Sequence, residues 1–216
     1  ADTLAALRYA KKSGLPTLAI VNAVETTIAR EADHRIYTYA GPEIAVASTK
    51  AYTTQLAVMY MVVAKMALLQ GAYSEEEAKA YIAELQKVSE KMEQILDRRN
   101  EVHVIAKEVL EAKDLFMIGR GMDYSILLEG SLKLKEVSYI HSEAYASGEL
   151  KHGPIALITE NTPVVALVTQ GAIMSKELSN IKEVKARGAN VVLFIVNRYT
   201  HMPIFTNYIN RHINMQ

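Results

Sequence analysis

Five short runs, TLAIVN (17–22), RIYTY (35–39), DLFMIG (114–119), TPVVALVT (162–169) and NVVLFIV (190–196), limit what this chain can fold into more than any other feature. They are rich in β-branched and aromatic residues, and most are apolar at consecutive positions, the pattern of a strand covered on both faces. Such strands belong to parallel sheets whose crossovers are helices. The intervening segments read as those helices. Asp2 or Thr3 can cap a helix through about Lys12, which Gly14-Leu15-Pro16 stops. Thr26 to Glu31 suits a short helix, and AGPEIAVASTK is a turn feeding a long helix from about Ser48 to Leu69. From Ser74, apolar Ala78, Tyr81, Ile82, Leu85, Val88, Met92 and Ile95 recur at a helical period, predicting one helix to about Arg99 and a second from about Glu101 to Ala112. After DLFMIG, a turn at Gly119 and Gly121 leads into a helix from about Tyr124 to Tyr139, and a further helix ends near Arg187.

The prediction is an α/β chain of two parallel-sheet units, each three layers deep (α/β/α), joined by helices. Residues 1–72 form a partial first unit, 73–112 the helical connection and 113–216 the second unit. The first unit lacks an opening strand: its leading helix precedes TLAIVN, whereas DLFMIG stands before the corresponding helix of the second. Open α/β sheets place ligands where a strand's carboxyl end meets the next helix. The first unit lacks that turn, and the open edge near TLAIVN favours pairing with another chain.

Half the residues are apolar, enough for a sizeable core. Lysine plus arginine equals aspartate plus glutamate at 24 each, with no long basic run, so general binding to nucleic acid or an anionic membrane is excluded as an expectation. Cysteine is absent, which removes disulfides, thiolate metal sites and a cysteine nucleophile, and fits a reducing compartment such as the cytoplasm. LAVMYMVVAKMALL (56–69), interrupted by Lys65, is too short to span roughly 30 Å of hydrocarbon and is expected to be a core helix. ADTLAALRYAKK has no signal-peptide layout and no initiator Met, so the chain is expected to begin inside a larger protein.

The densest chemistry lies in EGSLKLKEVSYIHSEAYASGELKHGP (129–154). On a helix, Glu129, Lys133, Glu136 and Ile140 share one stripe, so two carboxylates flank one amine. If exposed, this is an ion pair worth a few tenths of a kcal/mol. The many leucines, isoleucines and valines around it predict a mostly buried helix instead. Burial drives a carboxylate toward a neutral pKa, useful for a general base, and makes a lysine a usable amine or proton donor. His152, between glycines and a proline in GELKHGP, is the other candidate acid or base. His141 and His152 lack metal-ligand spacing, and neither a metal nor a cofactor is expected.

EGSLKLKE followed by SYIHSEAYASGELKHGP resembles the second sugar-isomerase (SIS) domain of the isomerising glutamine:fructose-6-phosphate amidotransferases, the glucosamine-6-phosphate synthases. GPEIAVASTKAYTTQ (41–55) is similar to the matching segment of their first SIS domain, and ADTL to residues just after its phosphate loop. The likeness extends through ARGANVVLFI, from Ala1 to about Val196, and implies that both units are SIS-type. The family makes glucosamine 6-phosphate from fructose 6-phosphate and ammonia that a glutaminase domain releases from glutamine. By resemblance, Glu136 is the proton-transfer base and Lys133 the lysine assisting near the open-chain sugar. His152 is the ring-opening histidine, acting in a neighbouring subunit of a homodimer. Val46 and Ser48 match backbone and hydroxyl contacts to the sugar. Ketose-to-aldose conversion needs such a set: a base to move a proton from C1 to C2, an acid to open the ring and a cation to offset enediol or enamine charge.

Three family parts have no counterpart in the sequence: the glutaminase domain, the serine- and threonine-rich phosphate loop, and a tail bearing a Schiff-base lysine. NRYTHMPIFTNYINRHINMQ (197–216) contains no lysine and reads as a divergent or disordered end. The chain alone is therefore expected to have little or no synthase activity. Two other readings compete. A sugar-phosphate sensor would have no need of Lys133, Glu136 and His152 together, and there is no candidate helix-turn-helix. A phosphosugar isomerase acting without ammonia would keep Glu136 and His152 and differ by forming no amine.

Overall fold

Each of the five runs contributes a strand in the computed structural model, which describes residues 2–196 and 211–215. Every strand pairing among the described residues is parallel. The chain divides into two units, Ala1–Ser89 and Glu90–Gln216.

The first unit runs α1 (Asp2–Lys12), β1 (Leu18–Val21), α2 (Thr27–Glu31), β2 (His34–Tyr37), α3 (Lys50–Leu69) and α4 (Glu75–Gln86). Leu18 pairs with His34 and Val21 with Tyr37. Thr26 caps α2 by accepting from the Ala29 amide, and Ser74 with Glu77 forms a reciprocal capping box on α4. Asp33 ties the start of β1 to the start of β2, accepting from the Thr17 amide at 3.0 Å and the Thr17 hydroxyl at 2.7 Å. The buried apolar side chains of this unit are small: Ala19, Ala29, Ala32, Val58, Ala64 and Ala78.

The expectation of a core helix over 56–69 is not met. The helix has close to its predicted extent, Lys50–Leu69, but only Val58 and Ala64 are buried in it. A two-stranded sheet offers too little surface to cover so apolar a helix, and Met59, Tyr60, Met61, Val63, Met66 and Leu69 stay exposed. Among the described residues α3 is the one helix long and apolar enough to cross a membrane, by length and composition.

The long helix predicted from Ser74 is broken. After α4 come α5 (Val88–Asp97) and α6 (Arg99–Val109): the interruption at Lys87, without glycine or proline, is the unexpected one, and that at Arg98 matches the predicted boundary between two helices. At the first break the Lys87 amide turns back to the Glu84 carbonyl, three residues away, at 3.1 Å.

In the second unit β3 (Asp114–Gly119), α7 (Met122–Ser138), β4 (His141–Ala146), β5 (Pro163–Val168), α8 (Met174–Ala186), β6 (Asn190–Val196) and β7 (Arg211–Met215) build a five-stranded sheet in the order β4-β3-β5-β6-β7. Phe116 and Ile118 of β3 face the cluster that includes Leu178, Ile181 and Val184 of α8. Leu115 and Met117 face the other way, onto Leu127 of α7, and Ile105 of α6 packs on Val192. Helices on both faces make the three layers the sequence predicts. β4 was not legible as a strand: HSEAYA is polar at its start and lies at the sheet edge. The expected divergent or disordered end falls mainly on residues 197–210, outside the described residues, while Arg211–Met215 is strand beside β6.

Candidate functional site

Glu129, Lys133 and Glu136 lie one helical turn apart along α7, and their head groups meet. Lys133 Nζ is 2.7 Å from Glu136 Oε2 and 3.4 Å from Glu129 Oε1. All three side chains are about one-quarter exposed, between 21% and 27%. The Lys133 ammonium is stabilised first by the hydrogen bond to Glu136 and then by the charges of both carboxylates, so its pKa is raised against a smaller opposing effect of burial. Of the two roles expected for this lysine, usable amine and proton donor, the raised pKa disfavours the first.

The helix is also less buried than expected. Asp123, Leu127 and Ser131 are its buried residues, whereas Ile126, Leu128, Leu132 and Val137 are exposed. One stripe of α7 meets the sheet, and the charged groups satisfy one another at the margin. Glu136 Oε1 has no hydrogen bond or ion pair among the described residues, which leaves a carboxylate oxygen open to an incoming proton.

His152 ends the 3₁₀ turn Leu150–His152 that follows β4. It is exposed, and its imidazole has no hydrogen bond or ion pair among the described residues. Its amide donates to the Glu149 carbonyl at 3.0 Å. Among the described residues no hydrogen bond or ion pair joins it to the α7 triplet.

Val46 and Ser48 sit in the first unit, in the segment between β2 and α3. Val46 is 94% exposed. The Ser48 hydroxyl donates to Glu43 Oε2 at 3.3 Å, and the same oxygen accepts from the Ala51 amide, also at 3.3 Å. Glu43 thereby serves the first turn of α3, where Thr49 offers no side-chain cap. Asn22 fixes the other end of the segment, accepting from the Ala40 amide at 2.9 Å and donating to the Gly41 carbonyl at 2.6 Å. Sequence reasoning missed both supports. Asn22, a polar residue closing an apolar strand run, is the signal that could have found one.

The strand–glycine–helix turn of the second unit is occupied by the protein's own groups. A Cβ on Gly119 would stand 2.9 Å from the Tyr124 amide nitrogen, so β3 abuts α7 only because that residue is glycine. Buried Asp123 accepts from the Thr169 amide at 3.0 Å and from the Thr169 hydroxyl, placing a carboxylate in the first turn of α7. Gln170 Nε2 donates to the Arg120 carbonyl at 2.8 Å. The Lys133–Glu136 pair stands instead near the other end of the helix, roughly 20 Å from its start at 1.5 Å per residue. Among the described residues no group of three or more histidines or carboxylates is arranged to hold a metal ion.

Comparisons with known proteins bear on this arrangement. The SIS domain family matches residues 1–65 and 108–201. The glutamine–fructose-6-phosphate aminotransferase [isomerizing] of Caldanaerobacter subterraneus is 54% identical over 194 residues, which is 90% of this chain and 32% of that protein. The protein of the same name from Methanosarcina acetivorans is 48% identical over 211 residues, 98% of this chain and 34% of its own length. The chain thus spans about a third of the length of the curated relatives it matches. Among solved structures, the C-terminal domain of glucosamine-fructose-6-phosphate aminotransferase from Francisella tularensis superposes with a TM-score of 0.94 at 38% identity, covering 100% of this chain and 60% of that one. Tagatose-6-phosphate ketose/aldose isomerase from Escherichia coli shares the fold at 18% identity, with a TM-score of 0.73 over 99% of this chain and 56% of that one.

Proposed function

This chain belongs to the SIS domain family, and from that premise we propose that it is the isomerase portion of a glutamine:fructose-6-phosphate aminotransferase, acting on fructose 6-phosphate and forming glucosamine 6-phosphate. The observation that carries this reading is the Glu129–Lys133–Glu136 triplet, a cation 2.7 Å from a carboxylate that keeps one oxygen open. The names of the relatives supply the substrate and the amino transfer.

In the proposed reaction Glu136 removes the C1 proton of the open-chain sugar adduct and returns it at C2. Lys133 stands beside the enediol or enamine formed between these steps and offsets its negative charge. His152 supplies the acid that opens the sugar ring, and the Val46 backbone and Ser48 hydroxyl hold sugar oxygens. Ammonia comes from a glutaminase domain of the kind the whole proteins carry. Among the described residues the imidazole of His152 has no hydrogen bond or ion pair with the triplet, which supports a homodimer in which it serves a neighbouring subunit; a single-chain mass in sedimentation would contradict this. We place the reaction in the cytoplasm, and secretion of the native protein would contradict that.

Proton exchange tests the reading without glutamine or ammonia. In deuterium oxide with fructose 6-phosphate, the chain completed with the family's phosphate loop is expected to incorporate deuterium at C1, and Glu136→Gln is expected to lower the rate at least about 100-fold while leaving sugar-phosphate affinity within a few-fold. Exchange unchanged in Glu136→Gln would move the base elsewhere. Formation of glucose 6-phosphate but no amine when ammonia is added would favour an ammonia-independent isomerase.

A further inference from the structure

Glu177, in the first turn of α8, is 2% exposed, and the proposed reaction makes no use of it. A carboxyl at such depth is costly unless it has work to do, since an apolar or amide side chain would fill the same space with less desolvation. Its surroundings say what that work is. Oε1 accepts from the buried Ser147 hydroxyl at 2.6 Å. Oε2 is buried with no hydrogen-bond partner among the described residues, and the nearest cation, Arg120 Nε, is 3.7 Å away.

Ser147 is the first residue after β4 and opens the segment that ends at His152. That segment is held at few points. The Ser147 amide donates to the Gly119 carbonyl at 2.9 Å, and Leu150 is buried in the core at 1% exposure. Gly148 lies against the Arg120 guanidinium so closely that a Cβ there would be 2.9 Å from Nη2. Arg120 is itself fixed by Asn180, one turn beyond Glu177 on α8, through bonds of 2.6 and 3.2 Å to Oδ1. One face of α8 thus grips both the hydroxyl that begins the turn and the guanidinium on which its glycine rests.

We propose that Glu177 is a positioning residue: through Ser147, and through Arg120 beneath Gly148, its carboxyl sets where the Ser147–His152 turn sits and so where His152 is presented to the sugar. This rests on the reading of His152 as the ring-opening acid. The grip depends on protonation. Burial raises the Glu177 pKa to about 7, with the Asp123 charge adding to the rise and Ser147 and Arg120 opposing it. When the carboxyl ionises, Oε2 attracts Arg120, which Asn180 otherwise holds. When it is protonated that pull is lost. Asp123 of α7, Arg120 after β3 and Ser147 after β4 are the groups that bear on Glu177 from neighbouring elements, and Glu183, bonded to Asn180 at 3.4 Å, lies on its own helix.

The test follows backbone amide resonances of the full chain across neutral pH, in a His152→Gln background that leaves no imidazole in the turn. The Gly148 amide is expected to titrate with a midpoint near the Glu177 value of about 7, and Glu177→Gln, which still accepts from Ser147, is expected to abolish that step. Glu177→Leu is expected to speed amide exchange across residues 147–152 at least tenfold while amides in β3 and β6 hold. A Gly148 titration that survives in Glu177→Gln, or a turn that exchanges no faster in Glu177→Leu, would overturn the proposal. Neither readout involves substrate. A His152→Ala chain that opens the sugar ring at the rate of the unmodified chain would overturn the underlying reading of His152 instead.

Discussion

The two units are built on opposite balances of core and surface. In the second, parallel strands bury Ile118, Val164, Leu193 and Ile195 at 0% exposure between helices on both faces. In the first, a two-stranded sheet buries mostly alanines, and the elements are joined by surface charge: Arg8 to Glu31 through bonds of 2.6 and 2.8 Å, and Lys11 to Asp33 at 2.8 Å. Exposed ion pairs add little, whereas a large buried side chain contributes roughly 1.5–3 kcal/mol. Resistance to local opening should therefore be concentrated in the second unit, which also carries Glu136, Lys133 and His152. The proposed proton transfer would gain from that, because geometry held within a fraction of an ångström is what such chemistry needs.

Core truncation gives the largest expected contrast. Leu193→Ala should destabilise the second unit by about 4 kcal/mol, since its fully enclosed side chain leaves a cavity that the sheet cannot collapse around. Val58→Ala on the open helix α3 should cost about 1 kcal/mol in the first. Urea melts followed by a probe in each unit check both, and equal losses would erase the distinction.

A subtler contrast is the response to pH, which should have opposite signs in the two units. The folded-state pKa of Glu177 is raised from 4.5 to about 7, so its protonated form favours the fold. Stability from this group is full below about 4.5, falls as pH rises toward about 7 and stays lost above it, a change on the order of 3 kcal/mol. Glu177→Gln should flatten that slope. Asp33 goes the other way: hydrogen bonds from Lys11 and Thr17 hold its carboxyl down to about 2. Its contribution is present above about 3.8 and lost as pH falls toward about 2, and Asp33→Asn should remove this small acid dependence of the first unit. Melts of both variants between acid and neutral pH read the two slopes.

Much of this was legible in the chain itself. The apolar runs yielded five strands because consecutive apolar, β-branched residues leave a period-free signature, and the helix after Ser74 was legible from the period of its apolar residues. Glu129, Lys133 and Glu136 were legible as a group, since helical spacing alone brings them together. What escaped depends on tertiary context. HSEAYA became a strand because β3 offers it an edge. The break at Lys87 carries no local breaker residue, whereas the one at Arg98 falls at the predicted boundary between two helices. The exposure of α3 follows from how little sheet lies beneath it. Glu177 reads in sequence as one more charge in SKELSNIKE, and only the fold shows it buried against Ser147 and Arg120.

The most direct measurement is peptide-resolved hydrogen exchange of the chain with and without glucosamine 6-phosphate. β3, β5 and β6 are expected to be protected without ligand while β1 and β2 exchange orders of magnitude faster, and ligand is expected to add protection over residues 129–136 and 147–152 once the phosphate loop is supplied. Ligand protection absent from both segments, or equal protection of the two units without ligand, would contradict this.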